Sequence, residues 1–252
     1  MPKNLRIERS GDVPELYLYD EIGPALPDWW GDTDLVSAKA VMEALDEIGD
    51  VPEFAVRISS PGGDVFEGVA IYNALARHSA TIRVEIDSLA ASIASVIAMA
   101  GDEIVIAGNA MIMIHQAWTC AMGNAAELAT VVESLEKIDK TIVDTYAARA
   151  RDRSTPEQIT EWLVAETWMT ADEAIERGFA DRAGELKGDV QARVPAGRFK
   201  NTPKQLIAKP NPPAPESSQT RDRKTTGLRC LPAIAARINE VRRRNAAEPY
   251  PA

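Results

Sequence analysis

Histidine and cysteine are almost missing from this chain of 252 residues, which holds two of each. The cysteines, Cys120 and Cys230, stand far apart, with no metal-type spacing and no disulfide framework, so a reducing cytoplasm is the expected setting. The N-terminal run MPKNLRIERSGD is polar and charged and carries no apolar core of signal-peptide type. The most apolar stretch, Leu89 to Ala100, is too short to span a bilayer and rich in Ala and Ser, which excludes a membrane protein of helical type. No GxxxxGK(S/T) loop occurs, so the chain does not hydrolyse ATP by that route. There is no internal repeat, no sustained coiled coil, and no residue set that calls for a metal or a cofactor.

What is present is a core-forming chain with an uneven charge. Apolar residues make up 45%, ample for one large domain. The net charge of −10 conceals two halves, because residues 191–252 hold 13 Lys and Arg against 4 Asp and Glu, together with nine of the 16 prolines. An acidic globular domain over residues 15–188 is therefore expected, preceded by an arm (1–14) and followed by a basic, Pro-rich extension (189–252), largely without fixed structure.

Along the domain, strand patterns alternate with helix patterns. ELYLYDEI, EFAVRISS, ATIRVEID, DEIVIAG and AMIMIHQ read as strands, and DLVSAKAVMEALDEIG and DVFEGVAIYNALARH as helices with one apolar side. A long helix is predicted from Asn124 to Arg149. Two capped helices follow, one opened by Ser154/Glu157 or Thr155/Gln158 with Pro156, the other by Thr170/Glu173 and ended by Gly178. Such alternation predicts βαβ units and an α/β fold.

Three places on this frame carry chemistry. The Pro61-Gly62-Gly63 turn closes a strand, either as a plain tight turn or as a backbone whose amides approach a ligand. EIDSLAASIASVIAMAG follows the next strand and offers Ser88, Ser92 and Ser95. Ser88 reads as a turn or N-cap residue and Ser95 as packing, while Ser92 sits where a helix N-terminus favours developing negative charge. His115 ends the apolar strand MIMI, and His78 ends a helix beside Arg77, where it reads as a surface cap.

In chain order, SPGGDVFEGVAIYNAL, SLAASIAS, NAMIMIHQ and MTADEAIERGFAD resemble the four motifs of the caseinolytic (Clp) protease proteolytic subunits, serine peptidases of crotonase-like fold. The resemblance covers about Glu15 to Arg182. It implies a crotonase-like superhelix of ββα units with a long helix, and it implies Ser92 as nucleophile and His115 as general base. It further implies an oxyanion hole from the amides of Gly63 and Ile93, and substrate contacts at Gly62, Asp64 and Val65. The family's acid falls nearest Glu166, with Asp87 and Asp172 as fallbacks, and Ser88 stands where the family usually has glycine. The partners implied are polypeptide substrates, a ring-shaped homo-oligomer and a separate Clp-type ATPase, and the long helix has two readings, a cover for the sheet or the handle through which the family's rings stack. The basic tail and the variant motifs resemble phage-encoded members that act inside proheads on scaffold or capsid proteins, and the tail is also a candidate for nucleic acid contact. The competing readings are an acyl-CoA enzyme of the same fold, a Ser-Lys peptidase using Lys39, Lys137 or Lys140, and an inactive assembly protein that keeps the fold.

Overall fold

The computed structural model describes residues 5–9, 11, 13–25, 35–184, 194, 197–203 and 206. Eight strands form one sheet: β1 (Leu5–Glu8), β2 (Glu15–Tyr19), β3 (Glu53–Ser60), β4 (Thr81–Ala91), β5 (Glu103–Ala107), β6 (Met111–Ile114), β7 (Thr167–Thr170) and β8 (Arg182–Gly184). Among the described residues, six α-helices connect or cover them: α1 (Ala38–Ile48), α2 (Val65–Ala76), α3 (Ile93–Ala98), α4 (Ala125–Ala150), α5 (Pro156–Ala165) and α6 (Ala171–Glu176). The segment assigned to an N-terminal arm supplies β1, because Leu5 and Ile7 share a face with Leu16 and Leu18 of β2 once the two strands pair antiparallel. β2, β3, β4 and β5 then run parallel in that order, with β8 parallel on the outer side of β5.

The helix boundaries follow local chemistry. Ser37 caps α1 by accepting the Ala40 amide, and Gly49, at φ 73°, ends it. Asn124 with Glu127, Thr155 with Gln158, and Thr170 with Glu173 each close a capping box. A lost N-cap costs about 1 kcal/mol. Of the two boxes the sequence offers near residue 155, Thr155/Gln158 forms, while the Ser154 hydroxyl instead donates to the Arg177 carbonyl at 2.7 Å.

β4 departs most from expectation, and it positions the site. The predicted strand stops at Asp87, yet β4 continues to Ala91 through a register shift against β3 between Ile58 and Ser60. Before the shift β4 pairs with β5, and after it Leu89, Ala90 and Ala91 pair with β6. Ser88 is thus a buried strand residue facing Ser59, their hydroxyls 2.8 Å apart, and not a helix N-cap. A bulge re-aims a strand, and this one lets β4 serve two neighbours and end beneath β6.

The core is formed by Leu16, Phe54, Ile58, Ile71, Val84, Ile106 and their neighbours between sheet and helices. α4 packs only through its second half, where Ile142, Val143, Tyr146 and Ala150 are buried, while Leu128 and Val132 in its first half are exposed. Among the described residues, no helix is long and apolar enough to cross a membrane. Most of the basic extension lies outside the described residues.

Candidate active site

Ser92 follows the last residue of β4 and precedes the first of α3, so strand turns into helix within a single residue. Its backbone adopts φ 55° and ψ −132°, a conformation costing a non-glycine residue about 1–3 kcal/mol. Three bonds hold it there. The Ser92 amide donates to the Met113 carbonyl at 2.8 Å, the Ser95 hydroxyl donates to the Ser92 carbonyl at 2.6 Å, and Ser95 Oγ lies 2.8 Å from the buried Tyr146 hydroxyl. Ser95 is therefore a buried polar brace between the turn, β6 and α4 rather than an apolar filler. The small residues Ala90, Ala91 and Ala94 leave room for this turn, and all are buried.

β6 pairs with the end of β4, so the residue that follows it emerges beside Ser92. That residue is His115, whose Nε2 lies 2.8 Å from Ser92 Oγ. Burial pushes the His115 pKa below its ordinary value, opposed by the carboxylates of Glu166 and Asp139 and assisted by the Arg198 guanidinium. His78 stands apart, where its Nδ1 accepts the Ala80 amide and its ring meets Phe54 edge-on.

The Gly-Gly turn lies on the other side of Ser92. Gly62, at φ 82°, passes so close that an added Cβ would stand 2.5 Å from the Ala91 carbonyl oxygen and 2.7 Å from Ser92 Cβ. Gly63 bridges to Ile22, and Asp64 donates its amide to the Ile22 carbonyl at 2.9 Å. Among the described residues, neither the Gly63 nor the Ile93 amide has a hydrogen-bond partner. The Asp64 side chain is spent on capping α2, accepting from Phe66 and Glu67, and Val65 opens that helix. Gly68 of α2 makes room for the Ile93 side chain, which an added Cβ would strike. Ser92, His115, Gly63, Ile93, Asp64 and Val65 all line one cavity of about 790 Å³.

The acidic candidates separate. Glu166 caps α5 in the left-handed region at φ 51°, and its charge acts on His115. Its carboxylate nevertheless accepts from the backbone amides of Lys200 (2.9 Å) and Asn201 (2.5 Å), and among the described residues no hydrogen bond joins it to His115. Asp87 is taken up by Arg57 and by the Tyr19 hydroxyl, on strands away from the histidine. Asp172 lies exposed in the first turn of α6. Three neighbours escaped the sequence reading. Asp139 accepts the Ala117 amide at 2.7 Å, Phe199 meets the His115 ring edge-on at 5.3 Å, and Arg198 lines the cavity. Asp139 lies in the middle of a long helix and the other two in the Pro-rich extension, so no local pattern marked them.

A largely parallel α/β sheet that delivers a serine on a sharp strand-to-helix turn to a strand-end histidine defines the class as a hydrolytic enzyme. The chain belongs to the Clp protease family, whose model matches residues 32–186. It is 27% identical over 187 residues to an ATP-dependent Clp protease proteolytic subunit of Bacteroides fragilis, covering 69% of this chain and 86% of that protein. A proteolytic subunit 3 of Rhodococcus jostii is 30% identical over 165 residues (65% and 79% covered), and the subunit of Deinococcus radiodurans is 29% identical over 148 (58% and 72%). The fold is that of the family and the enzyme is a serine peptidase.

Proposed function

We propose that the chain is an endopeptidase in which Ser92 is the nucleophile and His115 the general base. The observation that carries this reading is the 2.8 Å approach of His115 Nε2 to Ser92 Oγ, beside two amides with no partner of their own. Neutral His115 takes the Ser92 proton as Oγ attacks the peptide carbonyl carbon, and the oxyanion accepts the N–H groups of Gly63 and Ile93. The imidazolium then gives its proton to the leaving amine, and a water activated by His115 cleaves the acyl-enzyme. Glu166 is the acid of the reading, stabilising the imidazolium by its charge. Gly62, Asp64 and Val65 border the bound polypeptide, lying on the cavity wall or against Ser92. Removing one oxyanion donor from such a site costs about 10²–10³ in kcat.

The reading extends to assembly and setting. The exposed apolar side chains Leu128 and Val132 on the free half of α4 suit contact with a second copy in a facing ring. The relatives are named as ATP-dependent, and with no P-loop in this sequence, ATP-driven unfolding falls to a separate chain. The phage-like motifs and the basic extension favour work on scaffold or capsid polypeptides inside a prohead, with the cytoplasm as the site of synthesis.

The test is labelling of the full chain with a fluorophosphonate probe, followed by mass spectrometric location of the adduct. The expected adduct is on Ser92 and absent from Ser92→Ala, and labelling that persists in Ser92→Ala refutes the assignment.

A further inference from the structure

Residues 197–203 lie beyond the part of the chain matched by the family, yet they are built into the site. Lys200 and Asn201 place two consecutive backbone amides on the two carboxylate oxygens of Glu166, and the Asn201 side chain adds a bond to the Ala165 carbonyl at 3.0 Å. Phe199 inserts into a small cluster with Leu89, Ala91, Met113 and Val194, where its ring meets both His115 and Trp168 edge-on. Arg198 reaches the opposite wall of the cavity and pairs with Glu21 at 3.0 Å, next to Ile22, against which Gly63 is bridged.

Each contact opposes the chemistry assigned to the site. Two consecutive amides turn the Glu166 carboxylate toward residues 200 and 201, and among the described residues it makes no hydrogen bond to the His115 ring. A guanidinium beside an imidazole disfavours the imidazolium that must form, through like-charge repulsion. An Arg–Glu pair across the cavity, anchored by a buried Phe, closes part of the space that an extended peptide would fill. The cluster holding Phe199 is small and separate from the main core, so the segment can leave without unfolding the domain.

We propose that residues 197–203 form an inhibitory strap, which engages the Glu166 carboxylate and spans the substrate cavity until it is displaced. The proposal rests on the catalytic reading of Ser92 and His115.

The test compares the full chain with three variants: Phe199→Ala, which unseats the strap, and Arg198→Ala and Glu21→Gln, which break the pair across the cavity and leave the apolar cluster whole. The rate of fluorophosphonate labelling at Ser92 is expected to rise at least tenfold in Phe199→Ala and severalfold in the other two. Adding Glu166→Gln to each chain then reads what the acid is doing. It is expected to slow peptide hydrolysis at least tenfold in the strap-released variants and much less in the parent chain, a difference that loss of packing alone does not create. Labelling at Ser92 with equal or lower rates in the variants overturns the strap and leaves the catalytic reading intact. No labelling at Ser92 in any chain overturns both. If Phe199→Ala does not fold, Arg198→Ala and Glu21→Gln decide by the same criteria.

Discussion

Replacing Gly62 by alanine tests whether the Gly-Gly turn is packed against the nucleophile, and Gly49 provides the control. Both glycines are in the left-handed region, at φ 82° and φ 73°. Around Gly49 a new Cβ meets nothing within 4 Å, so Gly49→Ala carries only the conformational cost, about 1–2 kcal/mol. At Gly62 the same cost is joined by contacts at 2.5 Å to the Ala91 carbonyl, 2.7 Å to Ser92 Cβ and 3.1 Å to the Ile93 amide. Two of these partners are backbone atoms that cannot rotate away, so the turn or the end of β4 has to shift. Overpacking of this kind adds about 1–3 kcal/mol, giving about 2–5 kcal/mol in all. For a domain of this size each kcal/mol lowers Tm by about 2–4 °C. Gly49→Ala is therefore expected to lose about 2–8 °C and Gly62→Ala about 4–20 °C in thermal melts followed by circular dichroism. The larger difference lies in activity. Displacing Ser92 and the Ile93 amide by about 1 Å is expected to cost about 10²-fold in the rate of peptide hydrolysis, whereas Gly49→Ala leaves that rate unchanged. Equal losses of stability and of rate in the two variants would refute the packing of this turn against Ser92.

The His115 pKa is depressed by burial, so the neutral base persists to lower pH than an ordinary histidine near 6.5 allows. The acid limb of kcat/KM for peptide hydrolysis is accordingly expected below 6.5, and a limb at or above that value contradicts the buried, weakly partnered ring. The same shift destabilises the fold in acid. The unfolded chain takes up a proton at the ordinary pKa while the folded one resists, so stability falls as pH drops through the window between the two values. Chemical denaturation at stepped pH reads this slope, which His115→Gln should remove. Tyr146→Phe deletes the hydroxyl that meets Ser95 Oγ at 2.8 Å inside the core. It is expected to cost about 1 kcal/mol, seen as a Tm lower by about 2–4 °C, and no change in melting contradicts the brace.

Much of this protein is written locally in its sequence. The capping boxes at Thr155/Gln158 and Thr170/Glu173, the apolar faces of α1 and α2, and the alternation of strands with helices were all legible, because caps and periodicity are short-range physics. Local pattern left Ser88, Ser92 and Ser95 as rival serines and His115 as a lone strand-end histidine, and it was the order of four motifs that pointed to Ser92 and His115. Strand ends were not legible. β4 reaches Ala91 because β6 pairs with its last residues, and Thr167–Thr170 becomes β7 because it too pairs with β6. Pairing between segments this distant is not encoded by either segment alone.

The same limit divides the site. The sequence by itself determined the alternation of an α/β domain and, through motifs in a family's order, pointed to one serine and one histidine, because periodicity and motif composition are local. Only the tertiary structure decided that Nε2 and Oγ stand 2.8 Å apart, that Ser95 braces the turn through Tyr146, and that Glu166 is held by the amides of residues 200 and 201. Those are contacts across 23 to 51 residues of chain. They exist because the shift in β4 and the return of the chain past β8 bring the groups together, and no local pattern records that closure.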